Sequence, residues 1–346
     1  MEQTIRILSI DGGGIRGIIP ARVLQELLGD RPAQDVFHLI AGTSSGGITV
    51  CGLAKPNPMT PTQLIDLCVE HRDDLFHRPL LRRLPGANLL VEKYSAEPLE
   101  RQLKAHFGDF RLSDVAGLDL LVPSYAIELP KPRPNGETRA PLFFTSWRAK
   151  GEQLPSGARK EEYDFYLRDV VRATSAAPTY FEPAEIENKL GERFGMIDGG
   201  VFANNPAMCA LVAAYKRYPT ADRFIMVSLG TGFLQRPIPL QEAKGWGMIG
   251  WVGPLFSVLL DGNADTVSYQ AEQVLGSDHH RFDIPLGVKR TDLHAVNDDF
   301  DDASPENIEA VRAKADDLVD QARDRIQRLA SLLKEPKWRP TGELVA

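Results

Sequence analysis

Cysteine is scarce in this 346-residue chain, and the three present, Cys51, Cys68 and Cys209, form neither a pair nor a Cys-x-x-Cys spacing. That excludes a disulfide framework and suits a reducing, cytoplasmic setting. Positive charge is in deficit as well, with 40 Lys+Arg against 47 Asp+Glu and a net charge of −7. Such a chain gains little from the counterion release that drives nucleic-acid binding, so neither DNA nor RNA is an expected partner. Any contact with an anionic membrane has to come from a local patch. The uncharged stretch 245–260 holds 16 residues with four glycines and a proline, too short and too broken for a membrane span. No basic segment followed by an apolar core opens the chain, so no signal peptide is expected. No His/Cys/Asp group has ligand spacing, and the acidic run 298–302 lacks the glycine and glutamate of a calcium loop. Neither metal nor cofactor is expected.

What is present is an alternation of short apolar runs with helical patterns, the signature of an α/β protein with a mostly parallel central sheet flanked by helices. Strands are expected at 5–10, 37–41, 118–127, 142–147, 193–197 and 224–229, and helices at 20–28, 45–53, 62–74, 165–175 and 206–218. A proline-rich stretch at 129–141, with a Pro-Asn-Gly turn, reads as a loop. Segment 77–90 mixes Arg78, Arg82 and Arg83 with leucines, either an interfacial patch or a connector whose leucines pack inward. Near the C-terminus, Ser304-Pro305 supplies an N-cap and a first-turn proline. Apolar residues then recur at helical spacing to Leu333, which predicts one long amphipathic helix ended by Pro336.

Chemistry concentrates at three places. Asp11-Gly12-Gly13-Gly14-Ile15-Arg16-Gly17 follows a strand and leads into a helix. Its glycines let the backbone turn tightly and aim several N–H groups at one spot, which favours a phosphate or a reaction oxyanion. Gly12-x-Gly14-x-x-Gly17 also matches the dinucleotide fingerprint, a weak signal, and no clear ribose-binding acid follows within one βαβ unit. Gly42-Thr43-Ser44-Ser45-Gly46 sits between an apolar strand and a helix, the context of a nucleophile elbow in which Gly42 and Gly46 permit the sharp turn. A serine needs a base. Asp198-Gly199-Gly200, at the end of a strand, supplies an aspartate expected at the same edge of the sheet as Ser44.

These three motifs, in this order and at these separations, resemble the patatin family of lipid acyl hydrolases, as does the segment Ala173-Thr-Ser-Ala-Ala-Pro178-Thr-Tyr-Phe181 between the second and third. The resemblance runs over 4–232 and closes with Ser228-Leu-Gly-Thr-Gly232, within one domain over 1–335 that has a helical C-terminal region at 304–335 and a tail at 336–346. It implies a Ser–Asp dyad without histidine. Ser44 would be the nucleophile and Asp198 the base, and N–H groups of Gly12, Gly13 and Gly14 would hold the oxyanion, assisted by Arg16. Gly17 would complete the oxyanion hole. The implied partner is a phospholipid at a membrane surface, reached from the cytoplasm. An aspartate near its ordinary pKa is a poor base, so burial or compensating electrostatics has to act on it.

The chain also resembles the compact bacterial patatin-like effectors of antiviral defence that a cyclic nucleotide activates. That resemblance rests on length, the apolar segment after Gly245 and the extra C-terminal region. It implies an anionic nucleotide bound away from Ser44, by part of 78–83 or by the C-terminal region. Trp246, Trp251 and Phe256 lie in the uncharged segment 245–260, which is either core or a lipid-facing flap over the acyl site. Two other readings stay open: an α/β-hydrolase triad completed by His279, His280 or His294, and a dinucleotide-binding module without catalysis.

Overall fold

A computed structural model describes residues 3–72, 92–235, 237–287, 292, 295–297 and 299–338, in the helix of 248–275 without the side chains of 249, 252, 253 and 256. The expected segments 77–90 and 78–83, and His294, therefore lie outside the described residues. Strand β1 (Thr4–Ile10) is central, paired in parallel with β2 (Leu39–Gly42) on one side and β7 (Arg223–Leu229) on the other. Its near-continuous burial is what a strand covered on both faces requires. Leu8 and Ile10 enter one core while Ile5 and Ile7 enter the other, the two-residue period of a strand. Helices α1 (Ile18–Leu28), α2 (Ser45–Ala54), α3 (Pro61–Glu70), α4 (Ala96–Phe107) and α5 (Leu167–Thr174) build the first core. Helix α6 (Ala207–Arg217) and the far end of α7 (Met248–Leu275) cover the second.

The full order is β5-β6-β3-β2-β1-β7-β8, where β3 is Asp119–Glu128, β5 Ala184–Glu187, β6 Arg193–Asp198 and β8 His279–Phe282. Strand β4 (Ala140–Thr145) pairs antiparallel with β3, and so does β6, which also pairs antiparallel with β5. The sheet is thus mixed, parallel from β3 to β8 and antiparallel at the other end. Strand β3 makes the difference by outrunning its neighbour: β2 pairs with it only as far as Ala41↔Leu121, while β6 begins at Ser124↔Asp198. Because β4 also pairs with residues 124–126, β4 and β6 occupy opposite edges, and β6 comes down the edge that β2 has vacated. The C-terminal ends of β2 and β6 therefore meet head-on.

Local signals hold where the sequence placed them. Thr60 caps α3 with a full capping box and Pro61 in the first turn. Ser304 caps α8 (Pro305–Gln321), its side chain accepting the Asn307 N–H at 3.3 Å. The expected single C-terminal helix is instead two, broken at Ala322 (φ −100°, ψ 8°) before α9 (Arg323–Leu332). Both pack on α1, and the bend lets Ile308, Val311 and Leu318 of the first and Ile326 and Leu329 of the second reach one core. The expected helix 62–74 ends at Glu70, with 73 and 74 outside the described residues. Strand β5 and helix α4 were not among the expected elements.

Candidate active site

The first glycine loop, the elbow and the aspartate turn converge where β1, β2 and β6 end. Ser44 adopts φ 54°, ψ −121°, a strained conformation for a residue with a Cβ, and α2 starts at the next residue. The turn closes only because its flanks are glycine: a Cβ on Gly42 would stand 2.2 Å from the Gly46 carbonyl oxygen, and one on Gly46 would stand 2.3 Å from that of Ile10. Ser44 Oγ donates to Asp198 Oδ2 at 2.7 Å, and Asp198 Oδ1 accepts the Gly200 N–H, also at 2.7 Å. Among the described residues no cation is paired with this carboxylate. Burial accordingly pushes the Asp198 carboxyl up to about 7, against the smaller pull of the Gly200 N–H and the Ser44 hydroxyl. A carboxylate so tuned can take a proton near neutral pH.

The segment 173–181 holds both partners in place. Thr174 Oγ1 donates to the Pro123 carbonyl at 2.6 Å and accepts the Ser44 N–H at 3.0 Å. The Asp198 N–H donates to the Ala176 carbonyl at 3.0 Å. Thr174 carried no assigned role in the sequence reading, although the motif containing it was recognised. Its position between two motifs distant in sequence is what gives it one.

The glycine loop divides between two cavities. Gly13 and Gly14, with Ser44, Asp198, Tyr180, Phe181 and Leu260, line a cavity with largely apolar walls beside the serine. Gly12 and Arg16 line a second, polar cavity beyond Asn204, Leu260 and Phe300, which border both. Within the loop, the Gly12 N–H donates to the Asn204 carbonyl at 3.0 Å and the Gly13 N–H to Ser45 Oγ at 3.1 Å. The Gly14 N–H makes no hydrogen bond to a described residue. Arg16 is buried, its guanidinium 4.5 Å from the Phe300 ring centroid and its Nε donating to the Gly13 carbonyl at 3.4 Å. Gly17 packs on Ser45. Thr231, in the last motif, donates from Oγ1 to the Gly12 carbonyl at 2.8 Å and so ties that motif to the first.

Among the described residues no histidine lines the cavity beside Ser44. His279 and His280 open β8 next to β7, and burial pushes His279 down to about 4. Segment 245–260 becomes the start of α7, whose apolar residues are mostly exposed: Met248 at 85%, with Trp251, Leu255, Val258 and Leu259 beside it. Trp246 and Trp251 contact each other edge to face at 5.3 Å and border neither cavity. Phe256 lies on α7 with its side chain outside the description. Leu260, where this run ends, lines the cavity beside Ser44. No described helix is long and apolar enough to cross a membrane, and no described group of three or more His, Cys, Asp or Glu could hold a metal ion.

A family model described as patatin-like phospholipase matches residues 8–211. The chain is similar to patatin-like protein 2 of Arabidopsis thaliana, 28% identical over 98% of this chain and 88% of that one. It is also 27% identical to a Solanum tuberosum protein named probable inactive patatin-3-Kuras 1, over 89% of this chain and 84% of that one. Among solved structures, human GIVD cytosolic phospholipase A2 aligns with a TM-score of 0.47 at 12% identity, covering 95% of this chain and about 60% of that one.

Proposed function

The chain belongs to the patatin-like phospholipase family, and on that premise we propose that it is a serine acyl hydrolase releasing fatty acids from phospholipids through a Ser44–Asp198 dyad. The observation that carries this is the 2.7 Å bond from Ser44 Oγ to a buried carboxylate that burial lifts to about 7 and that no cation pairs with among the described residues, beside an apolar cavity. A relative that bears the word inactive in its name makes the geometry of this particular pair matter more than membership.

Ser44 Oγ attacks the ester carbonyl carbon as its proton passes to Asp198 Oδ2. The carbonyl oxygen becomes an oxyanion facing the Gly14 N–H and the Gly13 N–H, which turns to it from Ser45 Oγ. Collapse breaks the ester C–O bond, and Asp198 returns the proton to the departing alcohol. Water then attacks the acyl-enzyme with Asp198 again as base, freeing the fatty acid and restoring Ser44. The exposed apolar start of α7 meets the lipid surface, with Trp246 and Trp251 beside it, and Leu260 leads from that surface to the serine. Peripheral docking of this kind needs no membrane span. The same reading takes in one domain over 1–335.

The test is labelling by a fluorophosphonate probe together with fatty-acid release in the presence of a chelator. Both signals should vanish in Ser44→Ala. Full activity of that variant, or an absolute need for calcium, overturns the proposal. A cyclic-nucleotide switch belongs to this proposal as a regulatory layer. It requires hydrolysis to rise when cyclic di- or trinucleotides are added, and constant activity across such a panel removes it.

A further inference from the structure

The polar cavity on the far side of Leu260 and Phe300 has a volume of about 210 Å³ and is bordered by four aspartates, Asp11, Asp261, Asp265 and Asp283, against two arginines. The arginines do not answer all of that charge. Arg281 Nη2 donates to Asp11 Oδ2 at 2.7 Å and to Asp283 Oδ2 at 2.6 Å, while its Nη1 donates to Ser228 Oγ at 3.0 Å. Asp283 Oδ1 accepts the N–H groups of Gly232 and Ile284. Arg16 lies over Phe300.

Three acceptors remain. Asp11 is 2% exposed, and its Oδ1 is buried without a hydrogen-bond partner among the described residues. A buried acceptor left unmade is costly, and so is its desolvated charge. Asp261 and Asp265 stand one turn apart on α7, a like-charge spacing that destabilises a helix. Among the described residues neither makes a hydrogen bond or ion pair; Asp261 is half-buried and Asp265 exposed. Burial raises the Asp261 pKa against the opposing pull of the Arg16 charge, with Asp265 and Asp283 adding smaller upward pushes. The helix thus changes character within one step, from the apolar run ending at Leu260 on the acyl side to an acidic face on the polar side.

We propose that this cavity is a headgroup subsite that takes the primary ammonium of an ethanolamine-type phospholipid whose ester lies at Ser44. This rests on the hydrolase reading above. A primary ammonium has three N–H donors, which matches acceptors that are spread around a cavity and lack hydrogens. A quaternary ammonium has none, and it would need an aromatic face, whereas the Phe300 ring already carries Arg16. A metal ion needs its carboxylates gathered within one coordination sphere, and no described group here is so gathered. The two cavities share Asn204, Leu260 and Phe300 as walls and so lie side by side; the proposed lipid would cross this shared wall, its acyl chain on the Ser44 side and its ammonium on the other.

The experiment compares phosphatidylethanolamine, phosphatidylcholine and phosphatidylglycerol with identical acyl chains in neutral-detergent micelles containing chelator. Wild-type protein should favour the ethanolamine lipid in kcat/KM over the glycerol lipid by roughly tenfold, the size of one charge-assisted hydrogen bond. Asp261→Asn/Asp265→Asn should bring that ratio close to one while leaving hydrolysis of p-nitrophenyl butyrate, which has no headgroup, unchanged. Independently of turnover, glycerophosphoethanolamine should bind to the Ser44→Ala protein by calorimetry and fail to bind once the two aspartates are also replaced. Equal rates on all three lipids, a ratio that survives the double substitution, or a preference that disappears with chelator overturns the subsite. Absence of p-nitrophenyl butyrate hydrolysis by the wild type sinks the hydrolase reading instead, and the calorimetry then judges the cavity alone.

Discussion

Two buried carboxylates lie along strand β3, Asp119 at its own start and Asp198 of β6 opposite Ser124, and their surroundings are opposite. Asp119, at its start, accepts Nε and Nη2 of Arg217 at 2.9 and 3.2 Å and the Tyr218 hydroxyl at 2.8 Å. Arg217 also reaches Glu152 at 2.8 Å. Next to them His38 spends both ring nitrogens, Nδ1 on the Arg6 N–H and Nε2 on the Trp338 carbonyl, and burial pushes it down to about 3. Asp198, opposite Ser124, has only a hydroxyl and one peptide N–H among the described residues. A buried carboxylate that meets a guanidinium fork is locked in its charged form. One that meets no cation can gain and lose a proton near neutrality. The difference separates an anchor of the fold from a group with reactive capacity.

The sharpest break in that comparison comes from exchanging the functional pair. Ser44→Ala and Asp198→Asn should each lower kcat by about 10⁴-fold or more on a short-chain ester, with an unaltered circular dichroism spectrum. Arg217→Ala should do the reverse. Leaving Asp119 buried without its cation should cost about 3 kcal/mol or more in chemical denaturation, while kcat of the folded fraction stays near wild type. A collapse of kcat in that variant would mean that the two ends of β3 are coupled.

The pH dependence distinguishes the two carboxylates further. If Asp198 acts as the base, kcat/KM should rise about tenfold per pH unit up to an apparent pKa near 7 and then level off. Stability runs the other way. The folded pKa lies above the ordinary carboxylate value, so the folded protein retains a proton that the unfolded chain has lost, and stability falls as pH rises from about 4 to about 7. Asp198→Asn lacks this loss, so its Tm should exceed that of wild type at pH 8, with the gap closing toward pH 4. A gap that does not change with pH would show that burial leaves Asp198 unperturbed. The smallest effect concerns the start of α7: Trp246→Ser/Trp251→Ser should reduce hydrolysis of vesicle lipid several-fold and leave soluble esters alone, since about 1–3 kcal/mol of burial is at stake for each large apolar side chain. Equal losses on both substrates would assign the tryptophans to packing.

How much of this could be read in advance depends on the range of the interactions. The elbow is local: Gly42 and Gly46 flank a serine whose backbone they alone allow, and the strand before and helix after it follow from a change of period in a dozen residues. Caps such as Thr60 and Ser304 are equally local and appear where expected. The bend at Ala322 left no such mark, because a continuous apolar stripe is compatible with either one helix or two. Segment 245–260 was ambiguous for a related reason. Its composition says apolar, and whether those residues face core or surface depends on elements far away in sequence.

The sequence by itself determined the chemistry available: a serine on a sharp turn, a glycine loop before a helix, and an aspartate at a strand end, each set by sterics within a few residues. It did not determine how Asp198 reaches Ser44. The expectation was an aspartate at the same edge of a mostly parallel sheet as Ser44. The tertiary structure instead makes β3 longer than β2 and sends β6 down the same edge in the opposite direction, so that the two residues meet end to end. Pairing register and burial decide that, and with them the cation-free environment that lifts the pKa of Asp198. Both are sums over contacts made by residues many tens of positions apart, which no short window along the chain contains.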